Sequence, residues 1–188
     1  FWGAYTQGLI SDIDNQIIIC RILRPLNTMR RIHVAVPSRV EFEPGFYRWI
    51  ERLARLAGNM GCKIVFHGRQ ETTDLIEHYL KSKHPVLNAE YDEMYHWKQL
   101  TSLAEKVNED HMLVVITARQ GTVSYKPAFE YLPKELTESF PECSLMIIYP
   151  DQNGQPQDTM TFTAPQRQEK ESAYFTIIKW FEKTFKKK

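Results

Sequence analysis

The feature that most constrains the fold is a repeated alternation between short, nearly continuous apolar segments and longer segments of helical periodicity. The apolar segments are rich in β-branched residues and read IHVAVPS, KIVFH, HMLVVIT and CSLMIIYP, with a weaker segment at 86–89. Strands without polar alternation are buried on both faces, and intervening helices are the crossover connections of a parallel sheet. The pattern predicts a doubly wound α/β domain with a five-stranded parallel sheet.

The helical segments carry signals for their ends. The first is predicted from Pro44 to Met60, because proline suits a first helical turn and Gly61 can supply a left-handed cap. The next follows KIVFH, and Thr72 or Thr73 can serve as its N-cap. The chain therefore predicts helices of ordinary length between the strands.

Composition shifts divide the chain into four parts. Residues 1–31 read as a helix end, a strand from Gln16 to Leu23 and a connector, which together form the tail of a preceding unit. Residues 32–150 carry the α/β alternation. A polar, turn-rich linker is predicted at 151–172, and a basic amphipathic helix at 173–188.

The formal net charge of +1 supplies no overall field for nucleic acid, so no nucleic-acid partner is expected. Cys20, Cys62 and Cys143 all lie in apolar segments, and we expect three buried thiols in a reducing compartment. No apolar run reaches the roughly 20 residues that a membrane-spanning helix needs. The sequence begins at Phe1 without methionine, and it is expected to be a piece of a longer protein.

No catalytic motif is recognisable. The sequence lacks GxSxG, GxGxxG and GxxxxGK, and every cysteine lies in a predicted strand. Glu93 and His96 have helical spacing but no second ExxH or CxxC to complete a metal site. We therefore expect neither an enzyme nor a metal site.

A ligand site, if the chain has one, is expected at the carboxyl ends of the strands, in the loops after Val36 and Thr117. Those loops offer a guanidinium, hydroxyl groups and backbone amides, all of which bind anions. An ordinary polar loop has the same composition. The candidate residues are Ser38, Arg119, Gln120, Gly121, Thr122 and Ser124.

The segment 173–188 has two open interpretations. Trp180, Phe181 and Phe185 lie among lysines, a composition that suits contact with an anionic membrane surface. Packing against the domain itself or a neighbouring subunit is the more common use of an amphipathic helix.

The combination of ICRILRPLNTMRR, HVAVPS, EFEPGFYRWIERLARLAGNMGCKIVFH, LVVITARQGTVSY and FPECSLMIIYP resembles the cytoplasmic carboxy-terminal region of bacterial monovalent cation/proton antiporters of the sodium/hydrogen exchanger type. That region is similar to tandem universal stress proteins. The resemblance implies a transmembrane exchanger domain as partner and a location on the cytoplasmic side of the inner membrane, this fragment itself being soluble. It also implies strand order 3-2-1-4-5, with Gln16–Leu23 antiparallel beside Cys143–Tyr149.

Nucleotide-binding stress proteins carry an acidic residue after the first strand and a glycine-rich loop after the fourth. Here the first strand ends Val36-Pro37-Ser38, and the later loop, ARQGTVSY, has Gly121 as its single glycine. Side chains crowd the amides of a phosphate cradle, so these departures disfavour a nucleotide, and no cofactor is expected.

The resemblance leads us to expect a regulatory domain without catalysis, which acts by docking or through a small effector. The alternatives are a freestanding nucleotide-binding universal stress protein and, less favoured, a nucleotide hydrolase with the same sheet. The apolar strand CSLMIIY needs a cover for its edge, which a homodimer or the Gln16–Leu23 strand can provide.

Overall fold

The structure, a computed structural model, describes residues 4–153 of the 188 in the chain. Its helices are α1 (Ala4–Asp12), α2 (Phe46–Met60), α3 (Gln70–Lys83) and α4 (Leu132–Ser139). Its strands are β1 (Ile17–Arg21), β2 (Arg31–Ala35), β3 (Lys63–Gly68), β4 (Ala89–Glu93), β5 (His111–Ile116) and β6 (Ser144–Tyr149). Short 3-10 segments occupy Leu26–Thr28, Val40–Phe42, Trp97–Glu105 and Pro127–Tyr131. The amphipathic helix predicted at 173–188, and the linker beyond residue 153, lie outside the described residues.

The strands form one mixed sheet in the order β1-β6-β5-β2-β3-β4. All neighbouring strands are parallel except β1 and β6, which are antiparallel. The predicted α/β class with an antiparallel edge strand is therefore confirmed. The six-stranded order differs from the five-stranded 3-2-1-4-5 because β1 joins the sheet outside β6.

The amino-terminal strand pairs where it was expected. Ile17 lies opposite Tyr149 and Arg21 opposite Leu145, which confirms the antiparallel pairing of this segment with the strand CSLMIIY. The Arg21 guanidinium also donates to the carbonyl of Cys143 at 3.1 Å. A strand from the segment 1–31 is thus built into the same sheet as the strands of 32–150.

Each face of the sheet has its own apolar core. On one face, α2 and α3 pack Trp49, Ile50 and Ile76 onto the strands. On the other, the 3-10 segment Trp97–Glu105 and helix α4 contribute Leu100 and Leu136. Such two-sided cover explains why the strands carry almost no polar alternation.

Two helix boundaries test the sequence signals. Helix α2 ends at Met60, and Gly61 follows with φ of 63°, the left-handed cap that was predicted. The N-cap prediction for Thr72 or Thr73 is wrong, because α3 begins at Gln70. The Thr73 hydroxyl donates back to the Arg69 carbonyl at 3.2 Å, as hydroxyls within a helix often do.

Two further expectations need correction. Cys62 and Cys143 are buried, but Cys20 is exposed because it lies, with Ile18, on the exposed face of edge strand β1. Strand β4 begins only at Ala89, and Val86, predicted to open it, is 97% exposed. Within residues 4–153, no helix is long and apolar enough to cross a membrane.

Candidate functional site at the carboxyl edge of the sheet

The loops after β2 and β5 meet at the carboxyl edge of the sheet, and they carry the six residues predicted to bind a ligand. The structure distributes these residues over three places. Arg119, Gln120, Gly121 and Thr122 line a groove against the amino-terminal segment. Ser124 is buried in a polar joint, and Ser38 lies at a separate basic pocket.

The Arg119 guanidinium holds the amino-terminal segment against the loop after β5 through hydrogen bonds to main-chain carbonyls. It donates to the carbonyls of Ile10 at 3.1 Å, Asn15 at 2.6 Å and Pro150. The residue is 8% exposed, and burial lowers the pKa of its side chain, opposed by nearby carboxylates. Three main-chain acceptors therefore take the donors that were expected to face an anion, and a ligand role for Arg119 stays a prediction.

The groove beside Arg119 has a volume of about 710 Å³, in the range of small-molecule sites. One wall is the loop Arg119–Thr122, in which Gly121 has φ of 90°, and the opposite wall includes Gln7 and Ser11 of α1. The sequence did not indicate this wall, because contacts between α1 and a loop more than 100 residues away carry no local signal.

Glu43 forms a buried polar joint between the loops after β2, β5 and β6. Its Oε1 accepts hydrogen bonds from the Ser124 amide at 2.9 Å and the Ser124 hydroxyl at 2.6 Å, and its Oε2 accepts from Gln152 Nε2 at 3.0 Å. Glu43 is 1% exposed. Sequence reasoning missed this residue, whose one signal is a carboxylate in the loop EFEP between a strand and a helix.

The end of β6 is held against the start of α2. A β-carbon added at Gly45 would lie 2.5 Å from the Asp151 amide nitrogen, so only glycine permits this approach. Asp151 also forms an ion pair with Arg48. Together with the Glu43 joint, these contacts fix the three loops to one another.

Ser38 lies in the third place, at the carboxyl ends of β2, β3 and β4. Its hydroxyl accepts a hydrogen bond from Lys126 Nζ at 2.9 Å. Arg39, the next residue, has φ of 71°, a left-handed conformation that is uncommon for a residue with a side chain. The structure thus separates Ser38 from the other predicted site residues and gives it a lysine as neighbour.

Three buried histidines cross the middle of the sheet on one face, from β3 through β2 to β5. His33 Nδ1 lies 2.9 Å from His67 Nε2, and His33 Nε2 lies 3.2 Å from His111 Nδ1. At the β4 end, His67 Nδ1 lies 3.5 Å from Asp92 Oδ2. The sequence does not indicate this row, because the three histidines are far apart in the chain and each lies in an apolar strand.

Backbone geometry fixes the direction of the hydrogen bonds along the row. The Asn108 amide donates to His111 Nδ1 at 3.3 Å, so that nitrogen carries no hydrogen. His33 Nε2 then donates to His111, and His33 Nδ1 accepts from His67 Nε2. In this arrangement Nδ1 of His67 carries no hydrogen, so it makes no hydrogen bond with the Asp92 carboxylate at 3.5 Å.

Burial keeps this row neutral. Desolvation lowers the pKa of His33 to about 3 and that of His67 to about 4, although Asp92 opposes the shift at both. It also lowers the pKa of His111. Burial raises the pKa of Asp92, but the Lys106 hydrogen bond and His67 lower it overall.

Among residues 4–153, no three His, Cys, Asp or Glu side chains are grouped so as to hold a metal ion. The chain matches no protein-family model and no curated protein.

Proposed function

We propose that the chain is a regulatory cytoplasmic domain of a membrane cation/proton antiporter, with a universal-stress-protein-like fold and no catalysis of its own. The resemblance of its strand and loop segments to such domains is the starting point. Its partner is then the transmembrane exchanger domain of the same protein, on the cytoplasmic side of the inner membrane.

The observation that carries the proposal is the outer edge of β1, which pairs with no strand among residues 4–153. The strand pairs with β6 through its other edge, and its exposed face carries Ile18 (39% exposed). Ile22 (43%) and Leu23 (49%) follow the strand. An edge strand with apolar side chains is a site where another element packs. In tandem stress-protein units the sheets meet at this edge, so a preceding unit is the expected cover.

The Glu43 joint argues against the freestanding nucleotide-binding alternative. Its buried carboxylate lies between the loops after β2 and β5, where the resembling proteins hold a nucleotide. Glu43 oxygens are acceptors, and they already take the Ser124 amide and hydroxyl, so this place does not offer the donors that a nucleotide phosphate needs. Docking through the β1 edge, or a small effector elsewhere, is the mode of regulation that remains.

The test is cation/proton exchange in everted membrane vesicles that contain the full-length protein. The variant Ile18→Lys places a charge on the β1 edge, and Val86→Lys is the control because Val86 is 97% exposed in a distant loop. We expect Ile18→Lys, like deletion of residues 1–188, to change how exchange responds to pH or effectors. Equal regulation in the wild type, both variants and the deletion would overturn the proposal.

A further inference from the structure

A small basic pocket opens at the carboxyl ends of β2, β3 and β4, apart from the Arg119 groove and the Glu43 joint. Its volume is about 100 Å³, and it is lined by Ser38, Arg69, Trp97 and Lys126. A water occupies roughly 30 Å³ in the liquid, so the space suits about three waters or one tetrahedral oxyanion.

Two cations line this pocket, Arg69 and Lys126, and the exposed Arg39 lies near Lys126. Lys126 donates to the neutral Ser38 hydroxyl, and none of Arg39, Arg69 and Lys126 forms an ion pair within residues 4–153. They lie near enough that burial, then Arg69 and Arg39, lower the pKa of Lys126. Like charges brought together in this way are stabilised by a bound anion.

Backbone donors lie next to the pocket. Helix α3 begins directly after Arg69, which lines the pocket, and no side chain caps the first amides of this helix. The amino-terminal end of a helix carries partial positive charge and favours an anion.

Three carboxylates lie near the pocket, and none of them forms an ion pair with Arg39, Arg69 or Lys126 within residues 4–153. Glu41 accepts a hydrogen bond from the Thr72 hydroxyl at 2.9 Å, and Glu93 accepts one from Tyr95. Glu71 lies in the first turn of α3. The side-chain donors of Lys126 and Arg69 therefore remain free for a bound oxyanion.

We propose that Ser38, Arg69 and Lys126 form a binding site for a small phosphate oxyanion, either inorganic phosphate or the phosphate group of a small ester. Lys126 and Arg69 supply charge-assisted hydrogen bonds, and the Ser38 hydroxyl supplies a neutral donor. Arg39 and Arg69 are exposed at the mouth, where the organic part of an ester would extend. The site goes beyond regulation of a transporter and does not depend on it.

The test is isothermal titration of the 188-residue chain with inorganic phosphate and, separately, AMP, at constant ionic strength set with chloride. Lys126→Met is expected to raise the Kd about tenfold or more, and Arg69→Gln by several-fold. Lys126→Arg keeps the charge and should restore most of the affinity. Arg30→Gln, 83% exposed at the opposite end of the sheet, is the control and should bind like the wild type.

The two ligands distinguish the sources of the oxyanion. Equal affinity for phosphate and AMP identifies inorganic phosphate, and AMP binding tenfold tighter identifies an ester; both support the site. Thermal unfolding of each variant verifies that it is folded. No saturable binding of either ligand, or unchanged affinity in folded Lys126→Met and Arg69→Gln, would overturn it, whatever the transport assay shows.

Discussion

Two cationic regions on the same edge of the sheet differ in what surrounds their charge. Arg119 is buried and donates to three main-chain carbonyls, so its charge holds the amino-terminal segment to the loops. Arg39, Arg69 and Lys126 are at least partly exposed and form no ion pair within residues 4–153. Basic side chains at one edge of a sheet can therefore differ in role. One stabilises the fold through main-chain hydrogen bonds, while others keep their donors free for a ligand.

The variant Arg119→Met tests whether this buried arginine stabilises the fold, and we expect it to have the largest effect. It keeps most of the side-chain volume but leaves the carbonyls of Ile10, Asn15 and Pro150 without their donor. We expect unfolding to become easier by roughly 3 kcal/mol, since hydrogen bonds to charged groups contribute about 1.5–3 kcal/mol each and part of the loss is rehydrated. Chemical denaturation measures it.

The control for Arg119→Met is Gln120→Ala, an exposed neighbour in the same loop, for which we expect a change within about 0.5 kcal/mol. If Arg119→Met and Gln120→Ala lowered the free energy of unfolding equally little, the hydrogen bonds of Arg119 would not stabilise the fold as proposed.

A second prediction concerns acid. The pKa values of about 3 for His33 and about 4 for His67 lie below 6.5, so the unfolded chain binds more protons than the folded one between about pH 4 and 6.5. The contribution of the two neutral histidines to the free energy of unfolding is complete above about pH 6.5. It is lost as the pH falls, by about 2 kcal/mol per histidine at pH 5. Denaturation at pH 7 and pH 5 measures the loss.

The variant His67→Leu sharpens this prediction, because it removes one titrating group from the row. Its loss of stability between pH 7 and pH 5 should be smaller than that of the wild type by about 2 kcal/mol. Parallel pH profiles for the two proteins would contradict a row that is neutral in the folded state.

Removing the charge of Glu43 is expected to lower the free energy of unfolding by an intermediate amount. Glu43→Gln keeps the shape but removes the charge that accepts from the Ser124 amide and hydroxyl. We expect a loss of about 1–2 kcal/mol, the range for weakened buried hydrogen bonds. Ser124→Ala removes a single donor and should cost less; a larger loss from Ser124→Ala would place the stabilisation elsewhere.

The smallest effect is expected in the basic pocket. Lys126→Met removes one of three like charges and one hydrogen bond to Ser38, so its stability should stay within about 0.5 kcal/mol of the wild type without phosphate. Phosphate should then raise the melting temperature of the wild type more than that of the variant at the same concentration. A Lys126→Met loss as large as that of Arg119→Met would erase the contrast between the two regions.

The sequence by itself determined the class of fold. Continuous β-branched strands between amphipathic segments specify a sheet covered on both faces, and Gly61 marked the end of α2, because these signals act over a few residues. The pairing of Gln16–Leu23 with the last strand came from the resemblance, and the structure confirms it. Local signals failed at Thr72 and Thr73, where a hydroxyl bonds within the helix.

Only the tertiary structure decided which polar residues meet. The row of His33, His67 and His111 forms because β3, β2 and β5 are neighbours in the sheet, whereas they are distant in the chain. Arg119 holds the amino-terminal segment through its carbonyls, and Ser38 gained Lys126 across the edge of the sheet. Long-range contacts of this kind depend on strand order and loop packing, which no short stretch of sequence records.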